Sequence, residues 1–157
     1  IERTKDYYHY LKEPNKYLHI DFNKDLQTYN ALQFFIKNNS SNQYITNKNE
    51  KYKILYIRGT TAFNHDFEGC IQKRNEIVEV LSSMFPNALK TERFGALPYD
   101  TSGDSIMDAV YFTFDSGAEI DAYCENWEET LRIKMNWNEG LNISISSEET
   151  TNWLYGY

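Results

Sequence analysis

The sequence predicts an α+β fold in which an antiparallel β-meander packs against one long central helix. Apolar residues recur at helical spacing over residues 67–85, which gives the strongest helical pattern in the chain. Short segments of alternating apolar and polar residues, joined by polar turns with Gly, fill the C-terminal third. An apolar run rich in Ile and Tyr at 52–58 adds one earlier strand.

Length and composition predict one globular domain over residues 1–157. A chain of 157 residues has the size of an ordinary domain. Hydrophobic residues make up 41% and aromatic residues 16% of it, which is enough apolar material for a core without disulfides or metal. No run approaches the roughly 20 apolar residues of a membrane-spanning helix, so we expect no membrane partner.

The N-terminal part predicts two helices. Residues 4–12 can form a short helix that ends before Pro14, because the residue before a proline avoids helical geometry. Apolar residues then recur at helical spacing over residues 23–38, which predicts a second helix. The polar segment 38–51 shows no packing pattern and predicts a loop.

The middle of the chain predicts a strand, a helix and two loops. The strand at 52–58 leads into a loop at 59–66 and then into the long helix at 67–85. Residues 86–105 contain two prolines and two glycines, so they predict a long loop with room for a short strand near Phe94. Long loops inside compact domains are often functional.

Four strands and a short last helix are predicted for the C-terminal third. The predicted strands cover residues 106–114, 118–126, 130–137 and 141–146. Ser146 followed three residues later by Glu149 has the spacing of a capping box, which predicts the beginning of a C-terminal helix.

Alternation along these strands separates the meander into two faces. Apolar side chains such as Phe112, Ile120 and Cys124 fall on one face, which we expect to pack on the long helix. The opposite face carries acidic residues and tyrosines on the first two strands, and Arg132 and Lys134 on the third. Cross-strand ion pairs on that face would leave an ordinary solvated surface, and this is the simplest interpretation of each single acid.

The cysteine and histidine content predicts no cofactor and no metal. Cys70 and Cys124 share no short spacing, and the three histidines lack the spacing of metal ligands. Two scattered thiols are typical of a reducing cytoplasm, which is the predicted location, although a disulfide between them stays open. Phosphate-binding glycine motifs are also missing from the sequence.

The acidic balance of the chain favours a basic partner. The formal charge is −7, which disfavours direct nucleic-acid binding and suits a positively charged protein. Catalysis by the acids is not predicted, because pairing with Arg132 and Lys134 would keep their pKa low. The candidate partner-binding residues are Glu119, Asp121, Tyr123 and Tyr111 on the sheet, and Asp100, Asp104 and Tyr99 on the loop at 95–105.

A small, acidic α+β domain rich in Tyr, Asn and Trp, without a catalytic motif, resembles the immunity proteins that bacteria make against contact-dependent and other polymorphic toxins. The resemblance implies a cytoplasmic protein without enzymatic activity. Such a protein would bind the C-terminal domain of a cognate toxin, most often a nuclease, and block its basic active-site surface.

Two alternatives belong to other functional classes. One is a small enzyme or ligand-binding protein with its site in the loops at 59–66 and 95–105. The other is an acidic mimic of nucleic acid, which needs rows of acids at phosphate-like spacing. Arg132 and Lys134, interleaved with the acids on the predicted sheet, count against the mimic.

Overall fold

The computed structural model describes residues 17–22, 26–38 and 52–155. Within these ranges the fold is α+β, with three helices and one antiparallel sheet of seven strands. The strands are β1 (Tyr17–Phe22), β2 (Ala31–Asn38), β3 (Tyr52–Ala62), β4 (Leu89–Ala96), β5 (Ile106–Thr113), β6 (Glu119–Asn126) and β7 (Gly140–Ser146). The helices are α1 (Phe67–Met84), α2 (Glu129–Met135) and α3 (Glu148–Tyr155).

The strand order across the sheet is β1-β2-β3-β7-β6-β5-β4. Two runs of neighbouring antiparallel strands, β1 to β3 and β4 to β6, are therefore joined in the middle by β7. The β5–β6 turn forms where the sequence predicts it, with Gly117 in the left-handed region at φ 79°. None of the helices in the described ranges is long and apolar enough to cross a membrane.

Helix α1 covers one face of the sheet over β6 and β7. Its first turn is capped by Asp66, whose carboxylate accepts a hydrogen bond from the Gly69 N–H at 2.9 Å. Val78 packs against a buried cluster on β5 and β6 that contains Phe112 and Ile120. The helical spacing at 67–85 arises from this contact, because the apolar stripe of α1 is the side that meets the sheet.

A disulfide joins α1 to the centre of the sheet. Cys70 and Cys124 are 54 residues apart in sequence, and their Cα atoms are 6.0 Å apart. Both are almost fully buried and lie beside Leu141 of β7. The apolar stripe of the helix and the apolar face of β6 each include one cysteine, so packing these two surfaces together brings the sulfurs into bonding range.

The helix predicted at 23–38 is wrong where the structure describes it, because residues 31–38 form strand β2. Leu32, Phe34 and Ile36 alternate along this strand, and Phe35 is buried on the other face. Apolar residues on both faces of a strand can imitate helical spacing, and the pairing of β2 with β1 and β3 decides the outcome. The helix predicted at 4–12 lies outside the described residues, as does nearly all of the loop predicted at 38–51.

The strand predicted at 130–137 is also wrong, because residues 130–135 belong to α2 and Asn136 ends that helix. The Glu128 carboxylate caps the helix by accepting hydrogen bonds from the backbone N–H groups of Thr130 and Leu131, at 2.9 and 2.7 Å. Asn136 ends it in the left-handed conformation, at φ 52°. Arg132 and Lys134 are therefore removed from the sheet, and Arg132 pairs with Glu129 instead of the acids of β6.

Three further boundaries differ from the sequence prediction. Residues 89–96 of the predicted long loop form β4, which includes the short strand expected near Phe94. Gly59 lies inside β3 instead of closing it, where a Cβ atom would stand 2.6 Å from the Tyr29 ring. Helix α3 follows Ser147, whose hydroxyl accepts from the Thr150 N–H at 3.4 Å, so Ser146 is the last residue of β7 and not the cap.

We expect loss of the disulfide to destabilise the fold strongly. The bond closes a loop of 54 residues, and the entropy of that loop in the unfolded chain corresponds to about 4 kcal/mol. Cys70→Ala/Cys124→Ala should therefore lose about 2–4 kcal/mol of unfolding free energy, measured by urea denaturation. A reducing agent should lower the stability of the natural chain similarly and leave the double variant unchanged. Equal stability of the natural chain and the double variant in the absence of a reductant would contradict this expectation.

Candidate functional site

The sheet face opposite α1 carries a row of mostly polar residues that crosses all seven strands. The strand register places the members side by side in the order Asp21, Gln33, Arg58, Ser144, Asp121, Tyr111 and Thr91. Side chains alternate across a strand, so this face is opposite to the one that holds Phe112 and Ile120. The row gives the sheet a polar face next to its apolar one.

Arg58 of β3 is the third residue of this row. Its Nε donates to the Gln33 Oε1 at 2.6 Å, and Gln33 in turn donates to the Asp21 carboxylate at 2.9 Å. The Arg58 Nη1 donates to the hydroxyl oxygen of Tyr123 at 3.0 Å. One guanidinium thus links β2, β3 and β6, although β7 lies between the last two.

The acids of β6 are also held by neighbouring strands. The Ser144 hydroxyl of β7 donates to the Asp121 carboxylate. The Asn142 amide donates to Glu125 at 3.4 Å and accepts from the Thr60 hydroxyl at 2.7 Å. We call Gln33, Arg58, Asp121, Tyr123, Glu125, Asn142 and Ser144 the Arg58 network. Within the described ranges, no buried side-chain nitrogen or oxygen lacks a hydrogen-bond partner.

Burial has the largest effect on the pKa values of Asp121, Tyr123 and Glu125 in this network. It raises the pKa of Asp121 to about 6, although the hydrogen bond from Ser144 and the charge of Arg58 act in the other direction. Burial likewise raises the pKa of Glu125 to about 7 against the effect of Arg58. The pKa of the Tyr123 phenol is raised well above its usual value, again because it is buried.

These shifts correct the expectation that ion pairing keeps the acids at low pKa. The expected partners, Arg132 and Lys134, are on α2 and do not reach the polar face from a sheet strand. Arg58 is the cation that sequence reasoning missed. It lies in a predicted strand, but only the pairing of β3 with β7 brings it next to the acids of β6.

The four sheet residues predicted to bind a partner all lie on the polar face, and each of them is buried or half-buried. Tyr123 is 9% exposed and Asp121 is half-buried, so both belong to the Arg58 network more than to an open surface. Glu119 is half-buried and accepts from the Thr113 hydroxyl at 3.3 Å. Tyr111 is half-buried beside Asp121, and burial raises the pKa of its phenol.

The loop residue Asp100 organises its own loop. One carboxylate oxygen accepts from the Ser102 N–H at 2.9 Å and from the Ser102 hydroxyl at 2.7 Å. The other accepts from the Ser105 N–H at 2.8 Å and from the Ser105 hydroxyl at 2.7 Å. These bonds, led by the one from the Ser102 hydroxyl, hold the pKa of Asp100 well below its usual range.

The same loop is fastened to the beginning of α2 and displays an exposed tyrosine. Ser105 is fully buried, and its hydroxyl oxygen accepts from the Glu128 N–H at 2.8 Å. Tyr99 is 79% exposed, and Asp104 is exposed as well. Residues 97–105 and 127–135 together carry four acidic and two basic side chains. We call Tyr99, Asp104, Glu128 and Glu129 the tip surface.

The two loops of the predicted ligand site lie at the same end of the sheet but apart from each other. The first follows β3 and the second precedes β5, with β7 and β6 between these strands. Three strand spacings correspond to about 14 Å. The first loop is instead fixed to residue 139, since the His65 N–H donates to the Glu139 carboxylate at 2.8 Å.

No group of three or more His, Cys, Asp or Glu side chains in the described part of the chain is placed to hold a metal ion. Comparison of the chain with protein-family models, with curated protein sequences and with solved structures finds no match in any of the three.

We expect the Arg58 network to make the protein less stable as pH rises from about 4 to about 7. In the unfolded chain the two carboxyls ionise at their usual pKa, near 4, whereas in the folded chain they ionise near 6 and 7. The folded state therefore holds more protons in this interval, and raising the pH favours unfolding. Asp121→Asn/Glu125→Gln should flatten this part of the dependence of Tm on pH.

The measurement is thermal unfolding at several pH values between 4 and 8. Each kcal/mol removed from the pH dependence should appear as about 2–4 °C in Tm for a chain of this size. Asp115→Asn, at the exposed β5–β6 turn, is the matched control and should leave the profile of the natural chain unchanged. A double variant with the same slope as the natural chain would show that these two carboxyls do not titrate as described.

Proposed function

We propose that this chain is an immunity-type protein that binds and neutralises the C-terminal domain of a cognate bacterial toxin. Binding would occur through the tip surface, where Tyr99 and Asp104 contact a basic region of the toxin. The chain would act as a stoichiometric inhibitor without turnover.

The observation that carries this proposal is the exposure of Tyr99 on a loop, residues 97–105, that is held by its own hydrogen bonds. Asp100 and Ser105 make hydrogen bonds inside the loop, and Ser105 ties it to α2. A loop already fixed in one conformation loses little entropy on binding. Exposed tyrosines in such positions are frequent hot spots of protein interfaces.

The charge distribution supports a basic partner. The whole chain has a formal charge of −7, and acids outnumber bases around the tip surface. Complementary charge raises the rate of association, and that rate falls as salt increases. A nuclease domain needs a basic surface to hold its substrate, so it is one class of toxin that fits this chemistry.

In this proposal the polar face has a structural role. Asp121 and Tyr123 are engaged with Ser144 and Arg58, so they stabilise the sheet behind the binding surface. Contact of the partner with Glu119, Asp121, Tyr123 or Tyr111 stays a prediction. The acidic mimic gains no support here, because Arg58 stands among the acids of the face.

The disulfide is evidence about the compartment in which the protein would bind its partner. Disulfides persist in oxidising compartments and are rare in the cytosol, which was the predicted location. A buried bond between Cys70 and Cys124 therefore favours an oxidising compartment. In that compartment the protein would intercept a toxin before it reaches nucleic acid in the cytosol.

Thiol labelling of the protein taken directly from cells tests the compartment. We expect Cys70 and Cys124 to resist alkylation under denaturing conditions until a reductant is added, because they are paired. Immediate alkylation of both residues would contradict an oxidising compartment and favour the cytoplasm. That result would not affect the proposal that the tip surface binds the partner.

Mutations of the tip surface test the binding function. We expect the partner to be the C-terminal domain of a large secreted protein encoded directly upstream, and an unrelated metabolic operon in that place would contradict the proposal. Tyr99→Ala and Asp104→Lys should each raise the Kd about thirtyfold, which corresponds to a hot-spot loss of about 2 kcal/mol. Calorimetry and protection of growing cells from the toxin are the two measurements.

Asp115→Lys is the matched control for charge. Asp115 is exposed like Asp104 but lies at the opposite end of β5. Its reversal should change the Kd only through long-range charge and should leave protection intact. Equal effects of Asp104→Lys and Asp115→Lys would show that net charge, and not the tip surface, governs binding.

A ligand-binding protein or small enzyme is the second candidate. The observation in its favour is the pair of acids with raised pKa, Asp121 and Glu125, beside Arg58. Perturbed groups of this kind are concentrated in active sites. Electron density for a small molecule against Arg58, together with an activity lost in Glu125→Gln, would favour this candidate over the first.

A further inference from the structure

Strand β4 forms one edge of the sheet and is open along almost its whole length. Seven of its eight residues are exposed, among them Leu89 at 66% and Phe94 at 68%. Proteins usually protect such edges with charged side chains, proline, a bulge or a covering element, and β4 carries the charges of Lys90, Glu92 and Arg93. Residues 89–96 contain no proline, their register with β5 has no shift, and no other described strand pairs with them.

The pairing of β4 with β5 determines which residues of β4 direct their backbone N–H and C=O groups outward. The Leu97 N–H donates to the Ser105 carbonyl at 2.8 Å, so residue 97 faces β5. Residues in an antiparallel pair alternate between facing the partner strand and facing away from it. Lys90, Glu92 and Phe94 therefore direct their N–H and C=O groups away from β5.

We infer that β4 pairs antiparallel with β4 of a second copy, around a twofold axis through Thr91. Lys90 then lies opposite Glu92 of the second copy, and the reverse pair repeats it by symmetry. Both residues face outward with their backbone groups, so each pair closes two backbone hydrogen bonds. Within one chain the Lys90 Nζ already lies 3.2 Å from the Glu92 carboxylate, which shows that these side chains share one face.

Charge selects this register over its neighbours. Opposite residues of a continuous sheet must lie on the same face, so the axis can pass only through a residue. An axis through Lys90, Glu92 or Arg93 would place that charge opposite its own copy, which is destabilising. An axis through Thr91 pairs two threonines, and Thr–Thr pairs across strands are favourable.

The dimer would continue the polar row of one sheet into the other. Thr91 is the last member of that row in each copy. The paired segment, residues 89–93, is short, so the interface is below the standard size and should have a Kd in the micromolar range or weaker. This inference is independent of the tip surface and of the toxin.

Sedimentation of the whole chain, from about 1 µM to about 500 µM, tests the inference across the range in which weak dimers form. We expect the natural chain to shift from monomer to dimer. Glu92→Lys places lysines opposite each other twice and should weaken the dimer about tenfold. Lys90→Glu/Glu92→Lys exchanges the two charges and should restore the Kd of the natural chain.

Two further variants separate pairing from loss of structure. Glu92→Pro removes an outward N–H group, keeps the bonds to β5, and should abolish the dimer. Glu76→Lys breaks the exposed Lys73–Glu76 pair on α1 and serves as the matched control that leaves dimerisation unchanged. A natural chain that stays monomeric, or a dimer unaffected by both Glu92→Lys and Glu92→Pro, would overturn the inference.

Discussion

The structure depends on one constraint, which is that the half-buried guanidinium of Arg58 be surrounded by partners from strands far apart in sequence. Gln33 and Tyr123 each accept a hydrogen bond from it, and they lie on β2 and β6. Burial alone would lower the pKa of Arg58, but Tyr123, Tyr56 and Glu125 around it raise the pKa overall. A charge held in this way favours the observed arrangement of strands, since a shifted register would separate it from Gln33 and Tyr123.

The two faces of the sheet are therefore stabilised by different chemistry. On one face, Val78 of α1 packs on an apolar cluster, and the Cys70–Cys124 bond fixes the same helix. On the other face, Arg58 donates hydrogen bonds to Gln33 and Tyr123 and acts through its charge on Asp121 and Glu125, whose pKa burial raises to about 6 and about 7. The acids that contribute to the net charge of the sequence are thus not all surface charges. Association with a basic partner would rely on those at the tip of the β4–β5 hairpin.

Local patterns predicted the elements whose environment is simple. The helix spacing at 67–85 and the alternation over 106–126 reflect one packed face each, and α1, β5 and β6 occupy these positions. Strand β2 was predicted as a helix because both its faces are apolar, and only its neighbours in the sheet settle its conformation. Residues 130–137 alternate like a strand, but residues 130–135 lie in α2, whose first turn is capped by Glu128.

In the candidate site, too, sequence patterns predicted some properties and missed others. Alternation placed Asp121 and Tyr123 on the polar face, but it could not show that this face is partly buried. Exposure of Tyr99 on a polar loop was predictable, whereas the role of Asp100 was not. The sequence does not distinguish an Asp that forms hydrogen bonds within its own loop from an Asp that binds a partner. Arg58 required the pairing of β3 with β7, which no short segment of sequence encodes.

The position of β7 has a consequence for how the protein is made. This strand is the last of the seven in sequence, yet it lies in the middle of the sheet, between β3 and β6. While the chain emerges from the ribosome, the β1–β3 and β4–β6 segments can form, but they have no common sheet until residues 140–146 arrive. Completing the sheet thus requires the insertion of β7 between the β1–β3 and β4–β6 segments. Before it, β3 and β6 both expose open edges to chaperones and to neighbouring nascent chains.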